Sequence, residues 1–172
     1  MKALTLPQPW ASLIALGAKS VETRVWPTSY RGPLAIHAGK SYPKEARAFA
    51  VEHPAWDALR PLWLDGSYQV GDLPTGAVVA TAELIAVLPV LRFGAEARKA
   101  HLEISPRGEL QYWPLSEETR RLMQRCPLGT WETAFAEFTP GRWAWILADV
   151  QRLPRPVPAL GAQGLWEWER AA

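Results

Sequence analysis

Six consecutive residues bring together three side chains able to do chemistry. In Gly17-Ala18-Lys19-Ser20-Val21-Glu22-Thr23-Arg24, a lysine, a carboxylate and a guanidinium lie close along the chain. If the segment is a strand, Glu22 and Arg24 are two apart and share a face, while Lys19 sits at the turn into it, where alternation does not fix its direction. An arginine so placed can grip a phosphate or a carbonyl edge with two parallel hydrogen bonds, and a lysine beside a glutamate can move protons. The bland account is a surface ion pair next to a solvated lysine, worth little, and spacing alone ranks it ahead. The functional account has the three converging at the mouth of a cleft.

Other candidates stand alone. His37 alternates with apolar neighbours in Leu34-Ala35-Ile36-His37-Ala38. A lone histidine on a strand is more often a satisfied structural residue than a base, unless it shares a cleft with Lys19. Glu83 is the one charge in the long apolar run Ala77 to Val90, so it either marks the end of burial or points into a polar cavity, where it would need a partner. His53 and His101 lie in polar stretches expected at the surface. Three scattered histidines and one cysteine, Cys126, lack metal-ligand spacing, and no metal or other cofactor is expected. Ser12, Ser20, Thr23 and Cys126 lack the context of an activated nucleophile, and no glycine-rich phosphate loop is present.

The elements that must position these residues read as mainly β. Lys2 to Leu6 is a short strand. A helix of about two turns follows from Pro9 to Gly17, with Trp10, Leu13 and Ile14 on one face and Gly17 as a left-handed cap. Lys19 to Trp26 is a strand with Ser20, Glu22, Arg24 and Trp26 on one side and Val21, Thr23 and Val25 on the other. A turn over Pro27 to Gly32 leads to a strand from Pro33 to Ala38. Residues 43–64 read as two helical pieces split near His53-Pro54, because the residue before proline avoids the helical region. Gly66 to Gly76 is loop, and Ala77 to Val90 is a central strand. Residues 91–140 are the least readable, with helical stretches near 116–125 and 130–137. Gly141 to Arg152 is a strand, Leu153 to Pro158 an extended linker, and Leu165 to Glu169 a final strand. Strands with helices inserted between them, and no regular strand–helix alternation, point to an α+β, mainly β chain: a small closed or nearly closed barrel with helices packed around it, rather than parallel βαβ winding.

Bulk composition agrees. A chain of 172 residues, 48% hydrophobic and 21% charged, suits one domain over 1–172 with its own core. A single cysteine allows no internal disulfide, and neither a signal peptide nor a transmembrane stretch is legible, so a cytoplasmic address is expected. Net charge is only +2, but residues 1–60 carry 8 Lys/Arg against 4 Asp/Glu. Either this is chance or it is a modest basic face favouring phosphate. Ten tryptophans are mostly packing, with a few available to stack on bases if a cleft exposes them.

Several ordered motifs together are specific. Gln8-Pro9-Trp10-Ala11-Ser12-Leu13, then Gly17 to Trp26, then Tyr30-Arg31-Gly32-Pro33-Leu34-Ala35-Ile36-His37-Ala38 resemble the ASCH domain, the homology domain of activating signal cointegrator-1. Phe138 to Val150, Pro156-Val157-Pro158 and Gly161 to Trp166 are similar to the second half of its bacterial members. The resemblance implies a PUA-like β-barrel and a cleft lined by the Gly-x-Lys-x-x-Glu-x-Arg segment. It also implies association with RNA, or with coactivator-type proteins. Some small members hydrolyse the amide of acetylated cytidine, and some are ribonucleases. In the amidohydrolases a threonine three residues after the lysine is the nucleophile, helped by a glutamate from a later strand. Here Glu22 holds the threonine's place and Thr23 is expected to face the other side, and the resemblance implies Glu83 as a counterpart of the later glutamate.

Three functions follow as expectations. The first is a reader of RNA, single-stranded nucleic acid or a modified nucleoside, with Gln8, Trp10 and Trp26 hydrogen-bonding and stacking, Lys19, Arg24, Arg31 and Lys40 meeting phosphate, and His37 nearby. The second is a hydrolase with Lys19 and Glu22 or Glu83 as its acid/base residues. The third is a protein-interaction module with tryptophan anchors.

Overall fold

The apolar run Lys2–Leu6 forms strand β1, with Ala3, Leu4 and Leu6 buried. The computed structural model describes residues 1–69, 71–92, 101–105, 110–113, 117, 121, 124–125 and 132–169. In chain order the further elements are α1 (Trp10–Ala15), β2 (Val21–Arg24), β3 (Gly32–Ala38), α2 (Lys44–Ala50), α3 (Ala55–Leu64), β4 (Ala77–Pro89), β5 (His101–Ile104), β6 (Leu110–Trp113), α4 (Glu132–Phe135), β7 (Trp143–Pro158) and β8 (Leu165–Glu167). The chain is mixed α+β and mainly strand, as expected. It divides into two compact units, one of Met1–Ala18, Pro33–Ala82 and Val150–Ala172, the other of Lys19–Gly32 and Glu83–Asp149.

In the first unit the strand order is β4-β3-β1-β8. β1 pairs in parallel with β3, Leu4 opposite Ile36, and antiparallel with β8, Ala3 opposite Trp166. A parallel pair is therefore present where the sequence signs disfavoured parallel winding. The long stretch between Leu6 and Gly32 supplies the crossover that a parallel pair requires. β3 is buried from Leu34 to Ala38, which is why it reads as nearly continuous apolar sequence. Ala3, Ala35, Val78, Leu153 and Trp168 form a core here. The break expected near His53-Pro54 separates α2 from α3.

In the second unit the order is β2-β7-β4, with β5 and β6 as a separate antiparallel pair. Its core gathers Val21, Ile85, Leu88, Leu102, Phe138, Ala144 and Ile146. β5 and β6 fall in the stretch where no strand was expected. The helix expected near 116–125 lies mostly outside the described residues, as does Cys126. Of the helix expected over 130–137 the described residues form the single turn Glu132–Phe135, and 130 and 131 lie outside them.

β7 corrects one reading. The supposed linker Leu153 to Pro158 continues the strand to Pro158, and the Ala159 amide still bonds the Gly76 carbonyl at 3.0 Å. Proline's fixed φ suits extended backbone, and its missing N–H is tolerated where no neighbour demands it.

Candidate functional site

α1 closes at Gly17, whose φ of 73° is the left-handed conformation glycine adopts without a Cβ clash. Two residues later the chain enters the second unit. The Ser20 carbonyl accepts the Leu147 N–H at 2.8 Å. β2 then pairs antiparallel with β7, setting Val21 opposite Ile146, Glu22 opposite Trp145, Thr23 opposite Ala144 and Arg24 opposite Trp143. Directly opposed residues share a face. Val21, Ile146 and Ala144 therefore build the core, and Glu22 and Arg24 share the other face with Trp145 and Trp143.

Lys19 is not solvated. It is fully buried, its ammonium donating to the Val21 carbonyl and standing 3.4 Å from Glu22 Oε2. The other carboxylate oxygen, Oε1, lies 3.2 Å from Arg24 Nε. One carboxylate is thus held between two cations, and the triplet carries a net positive charge. A buried ammonium requires this arrangement, because water no longer solvates it. The alternation argument placed Glu22 and Arg24 together correctly; the turn direction of Lys19 adds the third member.

The residue that sequence reasoning missed is Glu132. Its carboxylate, 1% exposed, receives the Ser20 N–H, the Ser20 hydroxyl and, at 3.2 Å, the Val21 N–H. It thereby ties α4 to the backbone between Lys19 and Glu22. It lies 112 residues from Ser20 in a stretch without periodic pattern, so nothing in spacing marks it.

Trp26, half-buried, stands edge-on to Trp145 with centroids 4.7 Å apart, and its carbonyl accepts the Trp145 indole N–H at 3.4 Å. Arg31 folds back on its own turn, Nη1 donating to the Thr28 and Tyr30 carbonyls at 2.9 and 2.7 Å. Glu83 is half-buried on β4 and makes no hydrogen bond or ion pair with a described residue. β7 lies between β2 and β4, so Glu83's strand runs roughly 10 Å from that of Glu22.

The remaining candidates belong to the first unit. Gln8 is buried and its amide is engaged. Nε2 donates to Ser12 Oγ at 2.8 Å and to the Pro74 carbonyl at 2.6 Å, and Oε1 accepts the Ser12 N–H at 3.1 Å. It thus anchors the first turn of α1. Trp10 stacks on Phe49 at 5.7 Å. Lys40 is exposed, its stem lying over Gly76.

His37, 1% exposed, bonds the Ala159 carbonyl through Nε2 at 3.1 Å and packs edge-on to Trp166. Among the described residues Nδ1 finds no hydrogen-bond partner, and Gly161 crowds the ring so closely that a Cβ there would stand 2.4 Å from Cε1. Burial pushes this imidazole below its ordinary value, and the bond to Ala159 offsets that only in part. The unfolded chain therefore takes the proton first as pH falls through about 6.5, so stability is full above that value and declines below it, by at most about 1.4 kcal/mol per pH unit for one group. Urea unfolding at pH 7.5 and 5.5 should show a steeper acid loss for the wild type than for His37→Asn. Parallel losses would remove the assignment of a neutral buried imidazole.

Within the second unit, the β2–β7 face can thus offer a cation held in place by Glu22, beside indole surface. Comparison with known proteins gives the wider setting. The family model of the ASCH domain matches residues 4–153. Among solved structures, the chain is similar to an ASCH protein from Zymomonas mobilis at 19% identity and a TM-score of 0.43, covering 98% of this chain and 87% of that one. A mutant form of the Zymomonas mobilis protein matches at the same identity and TM-score, with 89% of its chain covered. No curated protein matches at a significant level. Among the described residues, no helix is long and apolar enough to cross a membrane.

Proposed function

The chain belongs to the ASCH domain family, a PUA-like family associated with nucleic-acid binding, and from that premise we propose that it binds single-stranded RNA or a modified nucleoside on the β2–β7 face of the second unit. The observation that carries this reading is Glu22 held by Lys19 at 3.4 Å and by Arg24 at 3.2 Å. The clamp orients the Arg24 guanidinium, whose side chain is 23% exposed, on the face that also bears Trp143. An oriented guanidinium suits phosphate or a base edge, and half-buried indoles suit stacking. Arg31 adds a phosphate contact in this proposal, and Gln8, Trp10, His37 and Lys40 belong to the first unit and take no part in this face.

Fluorescence anisotropy with labelled single-stranded RNA tests it. Affinity should fall steeply between about 50 and 200 mM salt. Arg24→Gln should weaken every sequence by about tenfold and reduce the salt slope by about one. A protein that retains no RNA at any salt concentration would end this reading.

Hydrolysis of an acetylated cytidine-like nucleoside, or of RNA, is the second reading, with Lys19 and Glu22 or Glu83 as the acid/base residues. It has less support, because both Glu22 oxygens already face cations and the Lys19 ammonium is buried. Mass spectrometry of the same incubations decides: product that vanishes in Lys19→Met would replace binding by turnover. A partner protein captured equally by the wild type and Arg24→Gln would instead favour the interaction module.

A further inference from the structure

We propose that the first unit carries a separate site, a pocket that binds a terminal phosphate group on a nucleotide-sized body. The pocket, of about 230 Å³, lies between the end of α1, α3, the loop after it and the last third of β7. Leu62, Val79 and Leu153 give it an apolar floor, and Tyr68, Arg152 and Arg155 stand around it. An apolar floor with a few converging polar groups is the usual make-up of a small-ligand site. The volume falls below the roughly 300 Å³ at which drug-sized ligands are enclosed, so it suits a phosphate with part of one nucleoside.

Two guanidiniums on one short segment select an anion. Arg152 stands 3.9 Å from Asp65 with both side chains more than a third exposed, a loose pairing that a phosphate can outcompete. Arg155 makes no hydrogen bond or ion pair with a described residue. Its neighbours Pro154 and Pro156 fix the backbone in extended form, so the arginine is presented with little loss of chain freedom on binding. Tyr68 is anchored by its N–H to the Leu62 carbonyl at 3.1 Å. The residue is half-buried, burial raises its phenol above the ordinary value, and the hydroxyl remains a donor at neutral pH. A doubly charged terminal phosphate, rather than a carboxylate, matches two guanidiniums and a phenol O–H together.

Calorimetric titration of the full chain at low salt tests this with AMP, adenosine, inorganic phosphate, and a short RNA with and without a 5′-phosphate. AMP should bind, with adenosine at least about tenfold weaker. Arg155→Gln and Arg152→Gln should each weaken AMP about tenfold, with unfolding midpoints unchanged because both residues are exposed. Preference for the 5′-phosphorylated RNA would identify a strand end as the source, and AMP binding without that preference a free mononucleotide. Equal affinity for AMP and adenosine, AMP affinity unchanged in both arginine variants, or no heat up to about 10 mM AMP would each overturn the proposal. Because AMP is tested apart from RNA, failure here leaves the β2–β7 reading standing, and failure of that reading leaves this one.

Discussion

Glu22→Ala should lower the unfolding free energy by about 3–5 kcal/mol, while Lys19→Met should cost about 1 kcal/mol or less. The asymmetry comes from burial. Removing Glu22 leaves the Lys19 ammonium, 0% exposed, with the Val21 carbonyl as its one partner among the described residues. Removing the ammonium instead replaces it with an apolar side chain of similar length and leaves Glu22 paired with Arg24 at 3.2 Å on a face with some access to water. The double variant Lys19→Met/Glu22→Ala should therefore recover most of what Glu22→Ala loses, giving a large coupling term in urea unfolding. Additive losses would mean that Lys19 does not depend on Glu22, and the account of the triplet as one interlocked unit would fall. The contrast also separates stability from function. Lys19→Met keeps the fold, so RNA affinity or turnover measured on it reports on the ammonium itself.

What the sequence made legible was local, and what it hid was set by distant contacts. Period-two alternation puts Glu22 and Arg24 on one face because strand geometry leaves no other choice. The burial of Lys19 was hidden because a turn residue's direction depends on what packs over it. The prolines of Leu153 to Pro158 argued correctly against helix, yet local chemistry does not distinguish a free extended segment from a strand with a neighbour. β5 and β6 lie in polar, mixed sequence in which neither period stands out. The motif residues also split between units. Lys19, Glu22, Arg24, Trp26, Arg31 and Glu83 belong to the second, Gln8, Trp10, His37 and Lys40 to the first. Chain order through Ala18 and Lys19 gives no sign of that division, because a compact unit is defined by contacts and not by composition.

Glu132→Ala should be the other severe substitution, lowering stability by about 3 kcal/mol or more and weakening RNA binding with it. One carboxylate serves three donors, the Ser20 N–H, the Ser20 hydroxyl and the Val21 N–H, in a place almost closed to water. Truncation takes this acceptor from all three donors, at about 1–3 kcal/mol for each buried polar group left unsatisfied, less whatever water or rearrangement recovers. Ser20→Ala removes only the hydroxyl and should cost about 1 kcal/mol. Glu132→Gln should fall between them, since its single oxygen can keep the Ser20 bonds while its NH₂ group faces the Val21 N–H. The order Ala, then Gln, then Ser20→Ala is the test in urea unfolding. The effect on binding follows because Ser20 and Val21 lie between Lys19 and Glu22: backbone released there takes with it the Val21 carbonyl that holds the ammonium, and then the carboxylate that orients Arg24. If Glu132→Gln keeps a folded chain, its RNA affinity should drop and regain nothing from higher protein stability at low temperature, which a merely global destabilisation would restore. Wild-type affinity in that variant would show that β2 holds its geometry without α4.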